Sequence, residues 1–139
     1  MALGEVHTEG QGTDLAIVTY GNGYYMSCQA QKKLREEQGI DARVVDLRWL
    51  APLPKDALLS ATAACDRILI VDECRHTGSQ SEGLMALFAE SRPDAIARRI
   101  TAQDSLIPLG TASTLTLPNR EMILAAAIDC VRSGTQADR

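Results

Sequence analysis

Arg67-Ile-Leu-Ile-Val-Asp72 is the stretch on which the fold turns. It is the most apolar run in the chain, which places it at the centre of a sheet whose two faces are both covered. Similar runs stand on either side of it. Leu15-Ala-Ile-Val-Thr-Tyr20 is bounded by Gly21-Asn22-Gly23, and a helix is predicted from Tyr24 to Gln38, with Met26, Ala30 and Leu34 on one face and Gly39 as its stop. Ala42 to Leu47 is the next strand, closed by Trp49-Leu-Ala-Pro52, and Pro54 opens a helix through Leu58 and Ala61 as a first-turn proline. After the central run, Ser79-Gln-Ser-Glu82 has the S-x-x-E spacing of a capping box and leads into Leu84, Met85, Leu87 and Phe88. Ile96 to Thr101 is a weaker strand, because Arg98 and Arg99 interrupt it, and a loop punctuated by Pro and Gly runs from Ala102 to Thr116. A last helix starts near Pro118-Asn119, carries Ile123, Leu124, Ala127, Ile128 and Val131, and stops at Gly134.

Strand and helix alternate four times, so the expected architecture is α/β with a parallel sheet covered on both faces. The chain has 139 residues, 45% hydrophobic and 23% charged, enough for one sizeable core. Residues 1–134 are expected to form a single domain, with 135–139 as a flexible tail. Fourteen basic against eighteen acidic residues give a net charge of −4, which speaks against a nucleic-acid groove. No apolar run approaches the roughly 20 residues of a membrane span, and no signal peptide opens the chain. With only 4% aromatic residues, a base-stacking platform or a carbohydrate cleft is short of material.

Cys28, Cys65, Cys74 and Cys130 stand at no metal-type spacing, and His7 and His76 are far apart, so no metal site is expected. The cysteines read as buried thiols of a reducing compartment, here the cytoplasm.

In open α/β sheets, ligands gather at the carboxyl ends of the strands, where strand order reverses. Three segments occupy those ends: Gly21-Asn22-Gly23, Arg48-Trp49, and Asp72 to Gly78. Backbone N–H groups at Gly21–Gly23 suit a phosphate cradle, but the Rossmann and P-loop signatures are both missing, and a tight turn with Asn22 as the cap accounts for the same residues. Within Asp72–His76, Cys74 and His76 are too close in sequence for their side chains to converge as a dyad. His76 is a candidate for proton transfer or phosphate contact, against the alternative of a solvated loop histidine. Glu73 reads as an ion-pair partner, with Arg48 the candidate for that pair. His7 reads as exposed and inert, one of Tyr24 and Tyr25 as packed on the sheet, and Asp104 as a turn or cap residue. No catalytic residue is assigned: these side chains assemble no acid–base pair, metal cage or triad.

Gly12-Thr-Asp-Leu-Ala-Ile-Val-Thr-Tyr-Gly21 resembles the opening of the transketolase C-terminal domain. Val44-Val-Asp-Leu-Arg-Trp-Leu-Ala-Pro-Leu53 is similar to that family's V-x-D-L-R-x-L-x-P-L signature. Ile68-Leu-Ile-Val-Asp-Glu73, Asp104-Ser-Leu-Ile-Pro108 and Leu117-Pro118 resemble its later blocks, in order over residues 3–133. Within the superfamily the chain most resembles the beta-subunit part of thiamine-diphosphate-dependent 2-oxo acid dehydrogenases, the decarboxylating components of the pyruvate and branched-chain complexes.

The resemblance implies a three-layer α/β/α fold: a mostly parallel five-stranded sheet with an antiparallel edge strand near Gly4–Glu9, and Leu15–Tyr20 beside Ile68–Asp72. It implies thiamine diphosphate and magnesium in the full enzyme, held between a phosphate-binding and a pyrimidine-binding domain whose motifs this chain lacks, so the domain alone is expected to bind neither. It further implies dimer packing, a place at the mouth of the active-site channel, and docking to the acyltransferase core. Asn22, Arg48, Glu73, Arg75 and His76 are then the channel-entrance or ligand-edge candidates, with Gly21, Gly23 and Gly78 as turn glycines. Gly78-Ser79-Gln80 replaces the family's Gly-Gly-x-Gly, and the resemblance assigns His76 no role. The chain is expected to begin within the linker after the pyrimidine domain, as an excised piece of a longer enzyme. The alternatives are the same domain of a transketolase, a deoxyxylulose-phosphate synthase or a 2-oxo acid:ferredoxin oxidoreductase, or a free-standing anion-binding module.

Overall fold

The computed structural model describes residues 2–133. In chain order the elements are β1 (His7–Glu9), β2 (Leu15–Thr19), α1 (Asn22–Lys33, prolonged by a π turn over Leu34–Gln38), β3 (Ala42–Asp46), α2 (Lys55–Thr62), β4 (Arg67–Arg75), α3 (Gln80–Ser91), β5 (Ile96–Ala102), a 3₁₀ turn (Gly110–Leu115) and α4 (Arg120–Arg132). The five strands form one sheet in the order β1-β3-β2-β4-β5. All neighbours are parallel except β1, which runs antiparallel to β3 with His7 opposite Asp46. The fold class is therefore the one anticipated, antiparallel edge strand and β2–β4 adjacency included. The predicted stop at Gly134 and the tail 135–139 lie outside the described residues.

The strands sort their side chains by parity. Leu15, Ile17, Val44, Leu69 and Val71 face α1 and α4, where they meet Ala30, Leu34, Ile123, Ala127 and Cys130. Ala16, Val18, Val45, Leu47, Ile68 and Ile70 face α2 and α3 and meet Leu58, Leu84 and Phe88. Successive residues of a strand point to opposite faces, so a continuous apolar run serves two helical layers at once. That is why β2 is buried along its whole length. Arg98 and Arg99 are tolerated in β5 because it is the edge strand: Arg98 reaches Asp129 of α4 at 3.0 Å, and Arg99 turns toward α3 and bonds Ser81 Oγ at 3.1 Å.

Several local expectations are corrected. β4 does not end at Asp72; it continues to Arg75, which pairs with Ala102 after a register shift beyond the Val71–Ile100 pair. Between those two pairs three residues of β4, Asp72 to Cys74, oppose the single Thr101 of β5, a bulge that no hydrophobic period announces. Ser79 occupies the N-cap position of α3, but its side chain caps nothing and bonds Ser81 Oγ. The cap is supplied instead by Asp72, whose Oδ2 accepts the Ser81 N–H at 2.8 Å. Gly21, with φ 57°, caps α1, and Asn22 is the helix's first residue with no capping bond. Pro54 stands at the cap position of α2 and accepts from Leu58 N rather than opening the first turn. Gly39 (φ 67°) ends the α1 turn and α4 begins after Asn119, both as anticipated, and the Asn119 side chain caps α4 by accepting from Met122 N. Cys65 and Cys130 are buried and Cys28 half-buried, but Cys74 is exposed, against the expectation that all four are interior.

Two glycines make the packing testable. A Cβ on Gly12 would collide with the main chain of Asp41 and Ala42, whereas one on Gly83, inside α3, would meet nothing within 4 Å. Gly83→Ala is expected to stabilise the protein by about 0.5–1 kcal/mol through helix propensity. Gly12→Ala is expected to cost about 1–3 kcal/mol, because main chain has to move. Urea unfolding of the two variants beside the parent chain checks both signs.

Candidate functional site

Because β3 and β4 lie on opposite sides of β2, strand order reverses between β2 and β4. At that point Tyr20 leaves β2 and Asp72 lies in the bulge of β4. Asp72 is fully buried and accepts from Tyr20 Oη at 2.5 Å, from its own loop at Cys74 N (2.8 Å), and from Ser81 N (2.8 Å). One carboxylate thus ties the end of β2, the bulge and the N-terminus of α3. Burial alone would raise its titration; the bonds from Tyr20, Cys74, Ser81 and Ser79 outweigh this and hold the carboxyl below its usual range. The Tyr20 phenol moves the other way, pushed up by burial and by its bond to Asp72.

Beside Tyr20 opens a largely apolar cavity of about 480 Å³, walled by Leu50, Cys74, Arg75, Leu106 and Ile107 and floored by Gly78–Gln80. The segment beyond β5 forms one side of it. That segment is tethered through Asp104, whose carboxylate accepts Thr77 N at 2.8 Å and Thr77 Oγ1 at 2.6 Å. These bonds hold the Asp104 carboxyl below its ordinary range. Leu106 and Leu109 are each 96% exposed and Leu115 80%, an unusual density of solvated leucine for one loop.

The sequence-derived candidates do not converge on this cavity as a set. Arg75 and Gly78 line it. Asn22 and Glu73 line a separate cavity of about 190 Å³ together with Met26, Ser113, Leu117 and Asn119. Glu73 Oε1 lies only 2.5 Å from where a Cβ on Gly21 would be, so a carboxylate already stands at the opening turn of α1. This opposes an anion there: the negative charge occupies the place a diphosphate would need. Gly23 is required for packing, because a Cβ would strike Thr19 Oγ1.

Arg48 does not pair with Glu73. Its Nε bonds Asp46 Oδ2 at 2.5 Å, its N–H bonds Asp46 Oδ1 at 3.2 Å, and its guanidinium lies 5.8 Å from the centre of the Tyr24 ring. The short side chain of Asp46, two residues back, supports the left-handed φ of 60° at Arg48 and outcompetes Glu73 for the guanidinium. His7 is not free either, meeting the Tyr24 ring edge-on at 5.9 Å. His76 lines neither cavity: its Nδ1 is 3.1 Å from Thr101 Oγ1 and its Nε2 3.0 Å from Arg99 Nη2. No group of three or more metal-ligating side chains occurs among the described residues. Tyr20, Cys74 and Arg75 are the titratable side chains that line the cavity beside Tyr20, with Tyr20 Oη 3.4 Å from Cys74 Sγ, and Glu73 is the one that lines the smaller cavity. Tyr20, Leu50, Leu106 and Ile107 were not singled out from the sequence. For Leu106 and Ile107 the signal was the apolar content of an otherwise polar, Pro- and Gly-punctuated loop; Tyr20, at the end of β2, and Leu50, after β3, had no such signal.

The profile of the family described as "Transketolase, C-terminal domain" matches residues 4–123. The chain belongs to the transketolase C-terminal domain family. It is 31% identical over 128 residues to the pyruvate dehydrogenase E1 component subunit beta of Bacillus subtilis (strain 168), covering 90% of this chain and 39% of that protein. It is 34% identical over 119 residues to the 1-deoxy-D-xylulose-5-phosphate synthase of Nitratidesulfovibrio vulgaris (strain DP4), covering 83% of this chain and 18% of that one. Among solved structures, a split-gene transketolase in an inactive beta4 tetramer superposes with a TM-score of 0.82 at 22% identity, over 94% of this chain and 43% of that chain. The transketolase-type domain thus spans about two fifths or less of these curated relatives.

The Asp72 network generates a pH prediction. The folded carboxyl titrates below the unfolded value of about 3.9, so its contribution is complete above that value and is lost as pH falls through the folded one. Asp72→Asn is expected to cost about 1.5–3 kcal/mol near neutral pH and to lose less of its remaining stability on acidification than the parent. Denaturant unfolding of both proteins at about pH 7 and about pH 3 reads the difference.

Proposed function

We propose that the chain is the C-terminal domain of a thiamine-diphosphate-dependent 2-oxo acid dehydrogenase, the enzyme that decarboxylates a 2-oxo acid and passes the acyl group to lipoamide. In this reading, residues 1–134 act as one domain in the cytoplasm, in dimer packing, at the entrance of the active-site channel and in docking the acyltransferase core. Thiamine diphosphate and magnesium belong to the phosphate-binding and pyrimidine-binding domains. Glu73 at the Gly21 turn supports leaving the diphosphate to those domains.

The observation that carries the proposal is the apolar carboxyl edge. Leu50, Leu106, Ile107, Leu109 and Leu115 are exposed around it. Because β1 runs antiparallel, residues 2–6 reach the sheet at this same edge, with Leu3 66% exposed. A domain preceding β1 joins here and covers the leucines, and Arg75 and the cavity beside Tyr20 then lie at the seam between domains. The likeness to the 1-deoxy-D-xylulose-5-phosphate synthase supports a second reading, the same domain in a sugar-phosphate enzyme, with Arg75 as the cation for a distal phosphate.

The test is reconstitution. A polypeptide carrying the phosphate-binding and pyrimidine-binding domains is expected to bind this chain and to gain decarboxylase activity toward a 2-oxo acid. Leu106→Asp with Leu109→Asp is expected to weaken that association at least tenfold, about 1.4 kcal/mol, while the isolated chain keeps its fold. Absence of association overturns the proposal; activity with ketose phosphates in place of 2-oxo acids selects the second reading.

A further inference from the structure

The cavity beside Tyr20 is walled by Leu50, Leu106, Ile107 and the Tyr20 ring, and one charged side chain, Arg75, lines it. No aspartate or glutamate does, although acidic residues outnumber basic ones in the chain, eighteen to fourteen. The carboxylates around the cavity are engaged elsewhere. Asp72 accepts from Tyr20, Cys74 N and Ser81 N, and Asp104 accepts from Thr77. Glu73 lines the other cavity.

Arg75 is restrained but not neutralised. Its Nε donates to Thr77 O at 2.9 Å, and its Nη2 lies 3.8 Å from where a Cβ on Gly78 would stand, at the cavity floor. Among the described residues no carboxylate forms an ion pair with it. Its terminal N–H groups are therefore left to a ligand.

We propose that this cavity is a binding site for an aliphatic carboxylate, whose hydrocarbon chain packs on Leu50, Leu106 and Ile107 and whose head group pairs with Arg75. A volume of about 480 Å³ is that of a small-molecule site, and apolar walls with few, well-placed polar groups are the usual build of one. A guanidinium offers a carboxylate N–H groups in one plane, so direction is matched as well as charge. A monoanion suits the site better than a phosphate ester does. One cation balances one negative charge, and the second charge of a phosphate dianion would stand unmatched against apolar walls. A neutral hydrocarbon leaves the guanidinium without a partner, and a cation is repelled by it. Every residue of the site belongs to this chain, so the inference does not depend on which enzyme the domain serves.

Cys74 supplies the readout. It lines the same cavity and is exposed, whereas Cys65 and Cys130 are buried and Cys28 is half-buried. The full chain is treated with iodoacetamide, a neutral reagent, at fixed pH, and alkylation of each cysteine is followed by peptide mass spectrometry. Heptanoate at about 3 mM, for a Kd of about 1 mM, is expected to slow alkylation of Cys74 about threefold and to leave Cys28 unchanged. Heptan-1-ol at the same concentration is expected to protect less. Arg75→Gln is expected to weaken the apparent affinity for heptanoate about threefold, the scale of a solvent-accessible ion pair, and Arg75→Lys to weaken it less. Cys65 and Cys130 that stay unalkylated show that each variant keeps its fold, and the comparison of acid with alcohol in the parent needs no variant. Alkylation of Cys74 unchanged by heptanoate, equal protection by heptan-1-ol, or undiminished affinity in a folded Arg75→Gln overturns the proposal. So does stronger protection by heptyl phosphate than by heptanoate.

Discussion

A single buried carboxylate organises the working edge of this protein. Asp72 is surrounded by donors from three places in the chain, and an ionised group without them would be far too costly to bury. Its position is set by the bulge that ends the regular part of β4. There it bonds Tyr20 and caps α3, a task the sequence assigned to Ser79. The first turn of α3, the exit from β2 and the walls of the cavity beside Tyr20 consequently share one support. Loss of Asp72 is felt at all of them together, whereas loss of a core leucine is felt mainly where it packs.

From that support the carboxyl edge is built outward by short polar ties: Asp104 to Thr77, Arg99 to His76 and Ser81, and Asp46 to Arg48. Each satisfies the charged or polar groups of a turn that has little hydrophobic burial of its own. The apolar groups at this edge are in the opposite condition, being exposed with nothing packed upon them among the described residues. An edge with rigid polar seams and solvated leucines has the composition of an interface before assembly.

What could be read along the chain was whatever periodicity controls. Leu15–Thr19, Ala42–Asp46 and Arg67–Val71 are apolar on both faces and had to be central strands. Gly39 and Asn119 end and begin helices through their own backbone or side-chain chemistry. What could not be read was pairing at a distance. The preference of Arg48 for Asp46 over Glu73 depends on a left-handed residue at the end of β3. The separation of Glu73 from Arg75 into different cavities depends on the bulge between β4 and β5. That the exposed ring of His76 meets Arg99 and Thr101, from a strand more than twenty residues away, is a contact no local pattern announces.

The amino-acid sequence by itself determined the class of this protein: the alternation of doubly apolar strands with helices and the resemblance to the transketolase C-terminal domain. These depend on local periodicity and on residue types, both of which are present before folding. Only the tertiary structure decided which charged side chains meet, that Asp72 rather than Ser79 caps α3, and that an apolar cavity opens beside Tyr20. Those outcomes depend on strand register and on a bulge, and both are set by how two strands lie against each other, a relation that no single segment contains.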